Sequence, residues 1–223
     1  MRRTSVLLLG FALASMPAGA QVEPTPEATP VPDLRALLAS LARTPPAQTR
    51  YVERRESPLL DQPLLFAGQL EQPGAGKLIK TVEGARRERM EIDGDRVRVE
   101  REGRRVRSFS LQRAPELSAL AASMDALLGG DADALDALYH VRLEHDGSSW
   151  RIELDPRDAR LRKRVLGMQL LGIDRSWRCL DLQLDGGENS RMWLGDAAAR
   201  AATSADEAER DALCGGGADQ AFP

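Results

Sequence analysis

From Gln48 to Leu194 the chain keeps returning to a period of two, apolar against polar, and each return is bounded by turn residues. Segments near 48–57, 64–71, 77–83, 86–92, 95–101 and 104–112 follow this pattern; after an interruption so do 139–145, 148–155, 164–173, 176–185 and 189–195. Alternation sends successive side chains to opposite faces, so each segment is predicted to be a strand with one face toward a core. Asp93-Gly94 and Asp146-Gly147 are strong hairpin signals and Glu102-Gly103 a weaker one, because a two-residue primed turn needs positive φ. Eleven mostly antiparallel strands in one domain must curl or close. A curled sheet has a concave face that needs filling, by its own side chains, by helices or by a ligand.

Helical periodicity supplies the covers. Asp33 is a predicted N-cap, and Leu34, Leu37, Leu38 and Leu41 follow on one face until Pro45-Pro46 ends the helix. Between Ala114 and Val141 the strands are interrupted by a stripe of Leu117, Leu120, Ala121, Met124 and Leu128. Gly129-Gly130 stops that helix, and Asp131 starts a shorter one carrying Leu135 and Leu138. Beyond Leu194 comes an Ala-rich helical tail, 196–223, in which Ser204 and Glu207 are spaced as a capping box for a last helix through Leu213.

The segment from Arg89 to Leu111 fixes a trial register. With Asp93-Gly94 as the turn, Ile92 faces Asp95 and Met90 faces Val97. With Glu102-Gly103 as the next turn, Val99 faces Val106. Met90, Ile92, Val97, Val99 and Val106 then share an apolar face, while Glu91, Arg96, Arg98, Glu100, Arg105 and Arg107 share the other. Phe109 and Leu111 fall on the charged side unless a bulge intervenes near Arg107. The charged face mixes both signs, which suits a solvated exterior.

Met1-Arg2-Arg3, the apolar run Val6 to Ala14 and Ala18-Gly19-Ala20 form the three regions of a secretory signal peptide, residues 1–20, with cleavage expected after Ala20. A Pro-rich linker, 21–32, follows. No later run approaches the roughly 18 apolar residues of a membrane span, so a mature chain soluble outside the cytoplasm is expected. Removing the peptide takes two of the 31 Lys and Arg and none of the 34 Asp and Glu, moving the net charge from −3 to −5. That balance, with only nine aromatic residues in the chain and charged strands that mix both signs, argues against nucleic acid. The two cysteines, Cys179 and Cys214, form a candidate disulfide in an oxidising compartment; a buried thiol and an unrelated tail thiol are the alternative.

No catalytic constellation stands out. His140 and His145 are five apart on one strand and point to opposite faces, so they cannot share a metal. His145, Asp146, Ser148 and Ser149 crowd a hairpin turn, where triad members would diverge. No enzyme activity, cofactor or metal is expected. Met90, Met124, Met168 and Met192, with Trp150, Trp177 and Trp193, suit instead an irregular apolar ligand, or an ordinary core.

Tyr51-Val52-Glu53 opening the first strand, Gly68-Gln69-Leu70 followed by Gln72-Pro73-Gly74 and Gly76-Lys77-Leu78, and the hairpin Ile92 to Val97 together resemble the periplasmic LolA-like lipoprotein carriers, within their divergent LolA-related branch. The resemblance runs in element order from Asp33 to Leu194. It implies an α+β, mainly β fold, an unclosed antiparallel barrel of about eleven strands with a helical lid, over the domain 33–195. It also implies a carrier that shields acyl chains of a lipoprotein or lipid, takes cargo from an inner-membrane donor, delivers it to an outer-membrane acceptor, and works as a monomer. The apolar cavity is then expected among Phe66, Leu70, Leu78, Met90, Ile92, Val97, Val99, Val106, Leu120, Met124, Trp150, Ile152 and Met168, with Leu34, Leu37, Leu38 and Leu41 as the lid helix. Two departures are visible. Gln72 stands where classical carriers have a lid-holding arginine, and the tail is Ala-rich with Cys214 where they have a Pro-rich strand segment. An envelope sensor or scaffold of the same shape, acting through protein contacts, is the other reading.

Overall fold

The computed structural model describes residues 33–215. The expected signal peptide and linker lie outside the described residues, as do residues 216–223. Eleven strands form one antiparallel sheet: β1 Ala47–Glu56, β2 Leu64–Gly74, β3 Lys77–Val82, β4 Glu88–Asp93, β5 Arg96–Arg101, β6 Arg107–Ser110, β7 Tyr139–Asp146, β8 Ser149–Pro156, β9 Val165–Ile173, β10 Ser176–Leu184 and β11 Asn189–Leu194. Their order in space is β6-β5-β4-β3-β2-β1-β11-β10-β9-β8-β7, so β6 and β7 are free edges and the barrel is unclosed. The first and last strands meet at the centre, with Tyr51 opposite Leu194. A six-strand meander, β1–β6, and a five-strand meander, β7–β11, thus flank that seam, as the chain of short turns requires.

Helices fill the concave side. In α1, Leu34–Leu41, the Asp33 carboxylate accepts from the Ala36 N–H at 2.7 Å and three of the four leucines are fully buried. Each such leucine contributes about 1.5–3 kcal/mol. The helix α2, Pro115–Gly129, ends at Gly130, which adopts φ 72° and closes the last turn onto Ala126 and Leu127. Asp131 then caps α3, Ala132–Leu138, through the Ala134 N–H. Together α1, α2 and α3 cover β7–β10, burying Tyr139, Trp150, Ile152, Leu154, Met168 and Leu170. The start of α2 crosses to the other meander, where Leu117 and Ala121 pack on Ile92, Val97 and Leu111.

The tail covers the convex side. Ala197, Ala198 and Ala201 of α4, Asp196–Ala201, pack on Val52, Leu171 and Trp193. Cys179 of β10 is disulfide-bonded to Cys214, Cα to Cα 5.3 Å, just after α5, Glu207–Ala212. Arg191 reaches Asp181 at 2.7 Å and Asp211 at 2.9 Å, and Arg54 pairs with Glu207. The N-cap of α5 is Asp206, which accepts from Ala208 and Glu209, not Ser204. Ser204 instead donates to the Glu209 carboxylate at 2.6 Å.

The registers differ from the trial ones in an instructive way. In the first hairpin Asp93 faces Arg96, Ile92 faces Val97 and Met90 faces Val99. The turn is Gly94-Asp95, and the two-residue shift preserves both faces. The next connection takes five residues, 102–106, and pairs Val99 with Arg107 and Val97 with Phe109. That one-residue change exchanges the faces. Phe109 joins the apolar cluster without a bulge, β6 is shorter than the alternation implied, and Val106 is left 50% exposed in the loop.

Candidate functional site

Two cavities lie along α2, on the concave side of the sheet. The larger, about 260 Å³, has apolar walls from Leu70 and Leu78 of the first meander, Leu170, Trp177, Leu180 and Leu194 of the second, and Met124, Leu127 and Leu128 of α2. Polar groups at its margin include Arg43, Thr49, Gln72 and Arg178. The smaller, about 200 Å³, lies between α2 and the β3–β5 side, against Leu78, Ile92, Leu111, Ala121 and Met124. Gln72, Leu78, Met124 and Leu128 belong to both walls. The cavities exist because α2 bridges two hydrophobic clusters, and neither cluster fills the space between them.

Of the sequence-predicted residues, Leu70, Leu78, Ile92 and Met124 line these cavities. Met90, Val97 and Val99 pack in the cluster behind Ile92. Trp150, Ile152 and Met168 are 3%, 0% and 2% exposed in the closed core under α1 and α3, and half-buried Leu120 packs against it. Their place as cavity lining is therefore corrected: the lid leucines Leu37, Leu38 and Leu41 fill that half of the concave face. Phe66 lies under the Arg55 guanidinium, 4.9 Å from its ring centroid, and lines neither cavity. Val106 is removed from the face by the five-residue loop. Trp177, singled out in the sequence as suited to an apolar ligand though not placed among the cavity candidates, lines the larger cavity. Sequence reasoning missed Leu127, Leu170, Leu180 and Leu194. Alternation along β10 and β11 could have placed Leu180 and Leu194. No such signal exists in β9, Val165–Ile173, buried by helices on one side and by α4 and the disulfide region on the other.

Gln72 is 6% exposed, and its Oε1 accepts no hydrogen bond from the protein. A second polar group on the concave face is fully paired. The Glu53 carboxylate, 4% exposed, accepts from Lys80 at 2.6 Å, from Arg55 at 2.9 and 3.2 Å, and from the Ser190 hydroxyl at 2.8 Å. Burial alone would raise its pKa, but the charges and hydrogen bonds of Lys80 and Arg55 outweigh that and hold it at about 2. Lys80 moves down as well: burial outweighs its one carboxylate partner. Its ammonium lies 4.9 Å from the Tyr51 ring centroid, and the Tyr51 hydroxyl donates to the Thr81 carbonyl at 3.1 Å. That ring sits close over Gly68, where a Cβ would lie 1.8 Å from the Thr81 oxygen. His140 faces Asp155 and is exposed, while His145 faces Trp150. Among the described residues no three His, Cys, Asp or Glu side chains gather as metal ligands, and no helix is long and apolar enough to cross a membrane.

An unclosed antiparallel half-barrel, its concave face stopped by helices around an apolar cavity, is the class of protein this geometry defines. The chain belongs to the family described as outer membrane lipoprotein carrier protein LolA-like, which matches residues 26–217. No curated protein matches it. Among solved structures it is similar to a LolA superfamily protein from Nitrosomonas europaea, at 16% identity and TM-score 0.38 over 73% of this chain and 91% of that one. It is also similar to a chain of the MucA/MucB complex of Pseudomonas aeruginosa, at 15% and 0.37 over 73% and 56%. LprF from Mycobacterium bovis is similar at 12% and 0.35 over 75% and 93%.

Proposed function

We propose that this protein carries the acyl chains of a lipoprotein or lipid in the paired cavities under α2, across the aqueous space between an inner-membrane donor and an outer-membrane acceptor. The observation that carries this reading is the pair of apolar-walled spaces, about 260 and 200 Å³, with a common wall at Leu78 and Met124. Their combined size falls within the roughly 300–1,000 Å³ of small-ligand pockets. Each methylene moved from water into such a space contributes about 0.8 kcal/mol, so cargo that cannot cross water alone crosses inside the protein. The family's description as lipoprotein carriers supports the same reading.

Delipidated protein is expected to bind a fluorescent fatty-acid analogue. Leu78→Trp and Met124→Trp, which fill the common wall, should weaken binding at least tenfold while melting curves remain cooperative. Val106→Glu should leave binding of the soluble analogue unchanged. If no acyl ligand binds the wild-type protein, the carrier reading is wrong. A second reading, a half-barrel sensor acting through protein contacts, is favoured by the closed core around Trp150 and Met168, which fills half of the concave face. Native mass spectrometry of the exported protein separates the two, since a carrier retains lipid and a sensor retains a protein partner.

A further inference from the structure

In an antiparallel sheet the connections alternate between two edges. The segments 57–63, 83–87, 102–106, 157–164 and 185–188 all lie at one of them. All five strongly exposed large apolar side chains among the described residues lie at this edge as well. Leu59, 91% exposed, Leu60 and Val106 are in the loops; Leu65 and Leu166 are the second residues of β2 and β9. The same five loops carry nine Arg and Lys against six Asp and Glu, on a chain that has 31 against 34. Arg86, Arg87, Arg104, Arg105 and the Arg-Leu-Arg-Lys-Arg run at 160–164 (its Leu161 buried, its basic side chains exposed) make no ion pair among the described residues. The turns at the opposite edge, 75–76, 94–95, 147–148 and 174–175, hold one arginine and two aspartates.

We propose that this loop edge docks the protein on an anionic phospholipid bilayer, with Leu59 and Leu60 entering the interface and the basic loops resting on the headgroups. Charge complementarity identifies the occupant. Each Lys or Arg near an anionic surface raises partition about fivefold. The bases lie in 83–87, 102–106 and 157–164, while the leucine loop 57–63 and its neighbour 185–188 carry only the charges of Asp61, Asp185 and Glu188. The leucines therefore supply the apolar insertion and the other three loops the charge. A protein partner would be met by a contiguous, aromatic-containing patch. Here the apolar side chains are spaced along an arc of loops that contain no aromatic residue. The surface is separate from the cavity walls, so docking stands whether or not the cavities take acyl chains.

The test is co-sedimentation of the processed, exported chain with vesicles of phosphatidylcholine alone and of phosphatidylcholine containing about a third phosphatidylglycerol. Binding is expected to the anionic vesicles only, and to fall more than tenfold in half-molar salt. The double substitutions Leu59→Glu with Leu60→Glu, and Arg162→Glu with Lys163→Glu, change exposed side chains. Each should cut binding at least tenfold with the melting temperature unchanged. Equal binding to neutral vesicles, binding insensitive to both double variants, or no vesicle binding alongside capture of an acidic protein through this edge would each overturn the proposal.

Discussion

At Glu53 a carboxylate is buried on the concave face of a carrier-like sheet, held at a pKa of about 2 against an ordinary 4.5. A depressed folded-state pKa stabilises the fold above the ordinary value, and that stability is lost as pH falls through the folded one. The Glu53→Gln variant should therefore be less stable at pH 6 by about 3 kcal/mol, and its deficit should shrink as pH falls from 4.5 toward 2, followed by thermal melts across that range. Gln72 is the opposite case, a buried amide oxygen with no protein partner at the joint wall of both cavities. Replacing an unsatisfied buried polar group by an apolar one of similar shape removes a desolvation cost of about 1–3 kcal/mol. Gln72→Leu should thus leave ligand-free protein at least as stable in urea titration, and a loss above about 2 kcal/mol would contradict this account.

Elements were legible where one local signal decided them. Asp33, the leucine spacing and Pro45-Pro46 define α1 unaided, and alternation located all eleven strands to within a few residues. Where two structures satisfied the same pattern, sequence could not choose. The β5–β6 connection satisfies turn chemistry with two residues or five, and only packing of Phe109 against Val97 selects five. The apolar stripe of α2 hid Leu127, because a helix that bridges two clusters is apolar on more than one face. Leu170 went unseen for another reason, since β9 is buried on both faces and does not alternate. Close approach is also invisible to pattern: Gly68 looks like a gap in β2, yet any side chain there would strike the Thr81 carbonyl. Gly68→Ala is expected to cost about 2 kcal/mol or more by forcing β2 and β3 apart, measured as a lowered denaturation midpoint.

At the scale of the whole molecule, the tail is clamped to the sheet by the Cys179–Cys214 bridge, which closes 35 residues. Loop-closure entropy makes such a bridge worth about 3–4 kcal/mol, so the double variant Cys179→Ser with Cys214→Ser should melt several degrees lower, as should wild-type protein under reductant. The meeting of β1 and β11 at the centre of the sheet bears on how the molecule is made. A chain made from its N-terminus has one long edge of β1 unpaired, and the strand that pairs with it arrives about 140 residues later. Nine of the ten strand pairings join neighbours in sequence, but the β1–β11 pairing that unites the two meanders is of very long range, so this last step is expected to be slow. Until the last strand docks, the exposed edge of β1 invites pairing with another chain. The seam in the middle of the sheet is therefore expected to make the unfinished chain need shielding until β11 docks, and a chain cut short before Asn189 is expected to aggregate on refolding.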